Sequence, residues 1–207
     1  TVSSGDCVPA SGASPVLGLD NKATYTVTDA GVATNVYTLT VRVAPNETTL
    51  LWHTGSGAWD LVATNWIGQL SGSPLPFWNG VNVIFNDTAS GGTINIAAGM
   101  SPASTTVSNR DYTFSGGPIA GTNSLTKAGS GTLTLAGPNT YSGNTAVNGG
   151  TLVANGSSAL GNSTNFTVAG GATLLLTGGS AWPASAATLT GAGTVSMHLG
   201  GGVNVGL

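Results

Sequence analysis

From Lys127 onward the chain alternates apolar and polar residues in short runs that recur. Gly131-Thr132-Leu133-Thr134-Leu135 returns as Gly150-Thr151-Leu152-Val153-Ala154, as Ala172-Thr173-Leu174-Leu175-Leu176 and as Gly193-Thr194-Val195-Ser196-Met197. The threonines at 132, 151, 173 and 194 are 19, 22 and 21 residues apart. A second series keeps the same step: Thr145-Ala146-Val147, Phe166-Thr167-Val168 and Ala187-Thr188-Leu189 place apolar residues at 147, 168 and 189, spaced 21 and 21. Alternation with period two marks a half-buried strand. Gly149-Gly150, Gly170-Gly171 and Gly191-Ala192 supply corners between these short strands.

A repeat near 20 residues holding two or three strands predicts one coil of a parallel β-helix. Each coil then lies about 4.8 Å above the last, and every strand pairs with its copy in the next coil. Leu133 and Leu135, Leu152, Leu174 and Leu176, Val195 and Met197 are the predicted inward residues. A β-sandwich is the alternative, but it calls for antiparallel hairpins and a charged outer face. Upstream the pattern is weaker: Ile94 and Ile96 precede Tyr112 and Phe114, and Val107 and Leu125 precede Val147. This predicts about five coils, starting near residue 80, with coils proper over 86–207.

Residues 46–85 are rich in tryptophan and predict a cap or linker, with Trp52, Trp59, Trp66 and Trp78 inside it. Residues 1–45 differ again. Alternating runs at 23–28 and 36–43 flank Asp29-Ala30-Gly31 and predict a strand hairpin. An isolated hairpin is marginal in water, so something must complete it.

Composition sharpens this all-β reading. Glycine is 33 of 207 residues and charged residues are 5%, against about 25% in ordinary domains. The 40% hydrophobic content argues against charge-driven disorder. Four basic residues, Lys22, Arg42, Arg110 and Lys127, with a net charge of −3, exclude a nucleic-acid partner and give no attraction to an anionic membrane. No apolar run reaches the roughly 18 residues of a membrane helix. Cys7 is the single cysteine, a buried small residue or else an intermolecular link, and His53 and His198 lie far apart, so no intramolecular disulfide, metal or other cofactor is expected.

No catalytic motif appears. The carboxylates are Asp6, Asp20, Asp29, Glu47, Asp60, Asp87 and Asp111. Asp87 and Asp111 are 24 residues apart, about one coil, and Arg110 adjoins the second. Neighbouring coils would bring them close enough to resemble a glycosidase pair, about 5 Å apart, or leave them as solvated turn acids. A polysaccharide-cleaving groove needs more acids and bases than this, so no enzymatic activity is expected. Asn-x-Ser/Thr sequons stand at Asn46, Asn86, Asn155, Asn162 and Asn165.

One stretch carries a family likeness. Leu125-Thr126-Lys127-Ala128-Gly129-Ser130-Gly131-Thr132-Leu133-Thr134-Leu135 runs on through Asn139-Thr140-Tyr141-Ser142-Gly143 to Asn148-Gly149-Gly150-Thr151-Leu152. It resembles the autotransporter-associated β-strand repeat. The resemblance implies a right-handed parallel β-helix in the passenger region of a secreted or surface-anchored bacterial protein, without enzymatic activity and with an adhesive or scaffolding role. Trp52, Gly57-Ala58-Trp59, Asn65-Trp66, Trp78-Asn79-Gly80 and Ile84-Phe85-Asn86 also resemble the segment that often precedes such repeats, and the N-terminal hairpin is similar to half of a bacterial immunoglobulin-like domain.

Two further roles follow from open ends and aromatic side chains. No Asp, Glu, Lys or Arg follows Lys127, and the strand-like tail Val203, Val205, Leu207 has no charged guard. With Tyr25, Val27, Tyr37, Leu39 and Val41 of the hairpin, it forms a candidate inter-subunit edge. End-to-end stacking would join it to a longer parent chain, or to copies of itself in a head-to-tail filament. The tryptophans, if exposed, would offer stacking surfaces for glycans; if buried, they plug the end of the coil.

Overall fold

The computed structural model describes residues 22–29, 33–40, 47–156, 158–179 and 187–198. The chain divides into two units between Asn46 and Glu47. In the first, β1 (Lys22–Asp29) and β2 (Ala33–Thr40) pair antiparallel from Lys22↔Thr40 to Asp29↔Ala33. This is the hairpin that the alternation predicts. Val203, Val205, Leu207, Val41 and Cys7 lie outside the described residues, and Tyr25, Val27, Tyr37 and Leu39 are described by their pairing alone.

The second unit is a parallel stack, with no helix among the described residues. Each coil gives one strand to each of two sheets. The coils are β3 (Thr49–Trp52) with β4 (Gly57–Trp59), then, after β5 (Trp66–Gly68) and β6 (Pro74–Leu75), β7 (Asn82–Phe85) with β8 (Gly92–Ile96). There follow β9 (Ser104–Val107) with β10 (Tyr112–Gly116), β11 (Ser124–Lys127) with β12 (Thr132–Leu135), and β13 (Thr145–Val147) with β14 (Thr151–Asn155). The last are β15 (Asn165–Val168) with β16 (Thr173–Thr177) and β17 (Thr188–Gly191) with β18 (Thr194–Met197). One sheet runs β18-β16-β14-β12-β10-β8-β4 and the other β17-β15-β13-β11-β9-β7-β3-β5-β6.

The registers match the repeat. Leu133↔Leu152, Leu152↔Leu174 and Leu174↔Val195 form one inward column, and Leu135, Ala154, Leu176 and Met197 the next. Leu133, Leu152 and Leu174 are fully buried, and each buried leucine stabilises by roughly 1.5–3 kcal/mol. One outward column is all hydroxyl, with Thr132, Thr151, Thr173 and Thr194 in register, and the next, Thr134, Val153, Leu175 and Ser196, is mixed.

The stack begins earlier than the expected start near residue 80. β3 pairs parallel with β7, and β4 with β8. The tryptophan segment is therefore the first coil, opened by a long insertion. Its aromatic spacing hides the alternation that marks later coils. The insertion adds β5 antiparallel to β3 and β6 antiparallel to β5, which covers the edge of the larger sheet.

Corners explain the glycines. Asn109, Gly129, Gly150 and Gly171 occupy equivalent turns with φ of 51°, 62°, 62° and 81°. Glycine takes this conformation freely and asparagine is the residue that tolerates it next best. At Gly131 a Cβ would also collide with the backbone oxygens of Asn109 and Arg110 in the preceding coil.

Leu152→Ala is expected to cost 2–5 kcal/mol in urea unfolding, whereas Thr134→Ala, on the outer face of the same layer, is expected within about 0.5 kcal/mol of the parent. Equal effects from the two would contradict the inward–outward assignment.

Candidate functional site

Trp52, Trp59, Trp66, Phe77, Phe85, Tyr112 and Phe114 form an aromatic plug in the first coils, their rings in mutual contact. Trp52, Trp59 and Trp66 are 0% exposed. Trp52 meets Trp66 edge-on with centroids 4.9 Å apart and stacks on Phe85 at 5.5 Å. Trp59 contacts Phe77 at 5.3 Å, and Phe85 contacts Phe114 at 4.8 Å and Tyr112 at 5.3 Å. Such pairs each contribute about 0.5–1.5 kcal/mol beyond burial. The candidate glycan contacts thus have a different placement from a surface row. Three of the four rings are inside, and the half-buried Trp78 packs against the same core.

Glu47 holds this plug's outer turn. Its carboxylate accepts from the N–H groups of Leu70 at 2.9 Å and Ser71 at 2.6 Å, in the turn joining β5 to β6. Burial alone would raise its pKa, but the hydrogen bonds from Leu70 and Ser71 outweigh that and hold it below the ordinary carboxylate value. A Cβ at Gly68 would overlap the same carboxylate. Nothing in the sequence pattern singles Glu47 out, since its partners lie 23 and 24 residues away.

The acids weighed for catalysis sit at one corner of successive coils, and each has a structural partner. Arg110 Nε lies 3.3 Å from an Asp87 oxygen, with both side chains about half exposed. Asn109 donates to the other Asp87 oxygen at 2.9 Å. Asp111 accepts from the Thr132 N–H of the next coil at 2.7 Å. An exposed pair of this kind is worth about 0–1 kcal/mol. Tyr112 below it donates to the Asn86 carbonyl at 3.0 Å, and burial together with the Asp87 charge pushes its hydroxyl up to about 12.

The interior also holds polar groups that tie coil to coil. Asn139 accepts from Ile119 N–H at 2.9 Å and donates to the Ala159 carbonyl at 2.7 Å, bridging three coils with one amide. Tyr141, fully buried, shares a hydrogen bond with Thr145 at 3.0 Å, and burial drives its pKa upward. These residues are the Asn-Thr-Tyr of the quoted repeat. Lys127 is buried at an inward position, and its ammonium donates to the carbonyls of Ala128, Gly129 and Gly149. Burial lowers its pKa, with the Asp111 charge opposing. Among the described residues no group of three or more His, Cys, Asp or Glu side chains is placed to hold a metal.

Comparison with known proteins points the same way as the repeat. Residues 125–154 match the passenger-associated-transport-repeat family, so the resemblance read from that stretch is shown there. The chain is 36% identical over 165 residues to the adhesin BmaC autotransporter of Brucella suis biovar 1 (strain 1330). The alignment covers 66% of this chain and 5% of that protein, so the chain spans about a twentieth of the relative's length. No solved structure matches it.

Two outcomes test the site's anatomy. Trp59→Ala is expected to cost about 3–5 kcal/mol, and in a Trp78→Phe, Trp182→Phe background acrylamide should quench the fluorescence of the buried Trp52, Trp59 and Trp66 only weakly. Because Glu47 binds its proton less readily folded than unfolded, stability is present above the ordinary carboxylate value of 4.5 and lost as pH falls through the lower folded value. Melting temperature against pH should therefore decline below about 4.5, and Glu47→Gln should flatten that part of the decline.

Proposed function

We propose that this chain, a stretch of passenger-associated repeat coils, is part of the exposed rod of a bacterial surface protein and serves as an adhesive or structural scaffold without catalysis of its own. The observation that carries the reading is the match of residues 125–154 to the transport-repeat family together with the likeness to an adhesin. The geometry supports it. The stack presents long faces of Thr, Ser and Asn, such as Thr132, Thr151, Thr173 and Thr194, while Asp87 and Asp111 are engaged within the corner they brace. Further coils of a parent chain would stack on this one through the same strand ladder.

Location and role are tested together. Antibody raised against residues 47–198 should label intact cells of the bacterium that makes the protein, and added protease should remove that label. Cells lacking the coils should attach less well to host cells or surfaces. A chain that remains fully protected until the cells are lysed would defeat the proposal.

A further inference from the structure

Beyond that reading, we infer that the Asn148–Gly149 corner is a site of spontaneous backbone modification: the fold leaves this Asn-Gly pair free to lose ammonia through a cyclic imide and blocks the same reaction at the others. The chain holds three such pairs, Asn79-Gly80, Asn148-Gly149 and Asn155-Gly156. Glycine makes each pair reactive, because without a Cβ its nitrogen can approach the preceding side chain. Sequence alone ranks the three equally, whereas their hydrogen bonding does not.

Two pairs are locked. The Asn79 side chain donates to the Gly99 carbonyl at 3.2 Å and accepts from Ser101 N–H at 2.8 Å, while Gly80 N–H donates to the Ser101 carbonyl at 2.9 Å. Asn155 lies in β14, in register with Thr177 of the next coil, and Gly156 N–H donates to the Thr177 carbonyl at 3.2 Å. In both, the nitrogen that must attack is already donating, and ring closure would break a bond between coils. Asn148 is exposed, and among the described residues neither its side chain nor the Gly149 N–H has a hydrogen-bond partner. The corner around them is nevertheless held. Asn148 N–H donates to the Lys127 carbonyl at 2.7 Å, and the Gly149 carbonyl accepts from the Lys127 ammonium at 3.2 Å.

In the reaction the Gly149 nitrogen attacks Asn148 Cγ and closes a cyclic imide. The Cγ–Nδ2 bond breaks, and the side-chain nitrogen leaves as ammonia with the proton that Gly149 gives up. Water then opens the ring. Addition at Cγ breaks the newly made bond to the Gly149 nitrogen and leaves aspartate. Addition at the main-chain carbonyl carbon leaves isoaspartate, whose backbone runs through the side chain and is longer by a methylene. The balance is water in and ammonia out, with no oxidant or cofactor. Either product puts a carboxylate into the stretch after Lys127, which has no Asp, Glu, Lys or Arg. The longer product also meets a tight corner, since a Cβ at Gly149 would lie 3.0 Å from the Gly129 carbonyl oxygen of the preceding coil. Isoaspartate therefore loosens the β13–β14 coil from its neighbour, and aspartate does not.

Ageing the full chain at mildly alkaline pH, folded and in urea, tests this by peptide mapping with mass spectrometry. In urea the three pairs should deamidate at comparable rates. In the folded chain Asn148 should react about tenfold faster than Asn79 or Asn155, the ratio that one retained hydrogen bond supports. An isoaspartate methyltransferase with labelled S-adenosylmethionine should then mark the peptide carrying residue 148, and Asn148→Gln should remove that mark. The aged chain should melt below the parent, whereas Asn148→Asp should melt with it. Equal rates at the three pairs in the folded chain, a faster reaction at Asn79 or Asn155, or the same Asn148 preference persisting in urea would overturn the inference. A methyl-accepting aged chain that melts with the parent would overturn the loosening of the corner.

Discussion

Every other feature of the second unit depends on the hydrogen-bond ladder between equivalent strands of successive coils. A single coil has too few apolar atoms on its inner side to form a core and leaves both backbone edges bare. Stacking repairs both faults at once: it closes the ladder and aligns the inward side chains into continuous columns, Leu133 through Val195 among them. Because the ladder is main chain, it tolerates wide variation in side chains. Because it is parallel and in register, it makes each coil the template for the next.

The templating explains what was legible beforehand. Residues 127–197 reveal the solenoid because glycine, threonine and leucine recur at a constant phase, and phase is what a register preserves. Over residues 46–85 the sequence pattern predicts a cap or linker instead. There the inward positions are Trp52, Trp59 and Phe85, and the insertion bearing β5 and β6 stretches the first coil far beyond the period. Aromatic rings there take inward positions that leucines take in later coils, so the residue pattern changes while the strand pairing does not.

Individual side-chain duties were less legible than the fold. Trp52, Trp59 and Trp66 are easy to notice, but their burial depends on neighbours brought in from Phe77, Phe85 and Phe114. Glu47 and Lys127 show the same limit more sharply. Each is a charged residue in a nearly uncharged chain, and each satisfies backbone groups whose nearness is created by the coil and is invisible to local sequence. Asp87 and Asp111 illustrate the converse: the period correctly brings them to one corner, yet there each braces a backbone or an arginine.

The separation of inner and outer positions has an evolutionary consequence. Cohesion resides in the inward columns, the glycine corners and a few buried polar groups, while Thr132, Thr151, Thr173 and their neighbours on the outer face contribute little to it. Mutation can therefore rewrite the exterior, one residue in two along each strand, and leave the interior untouched. A lineage carrying such a stack has an outer surface free to drift without renegotiating its architecture.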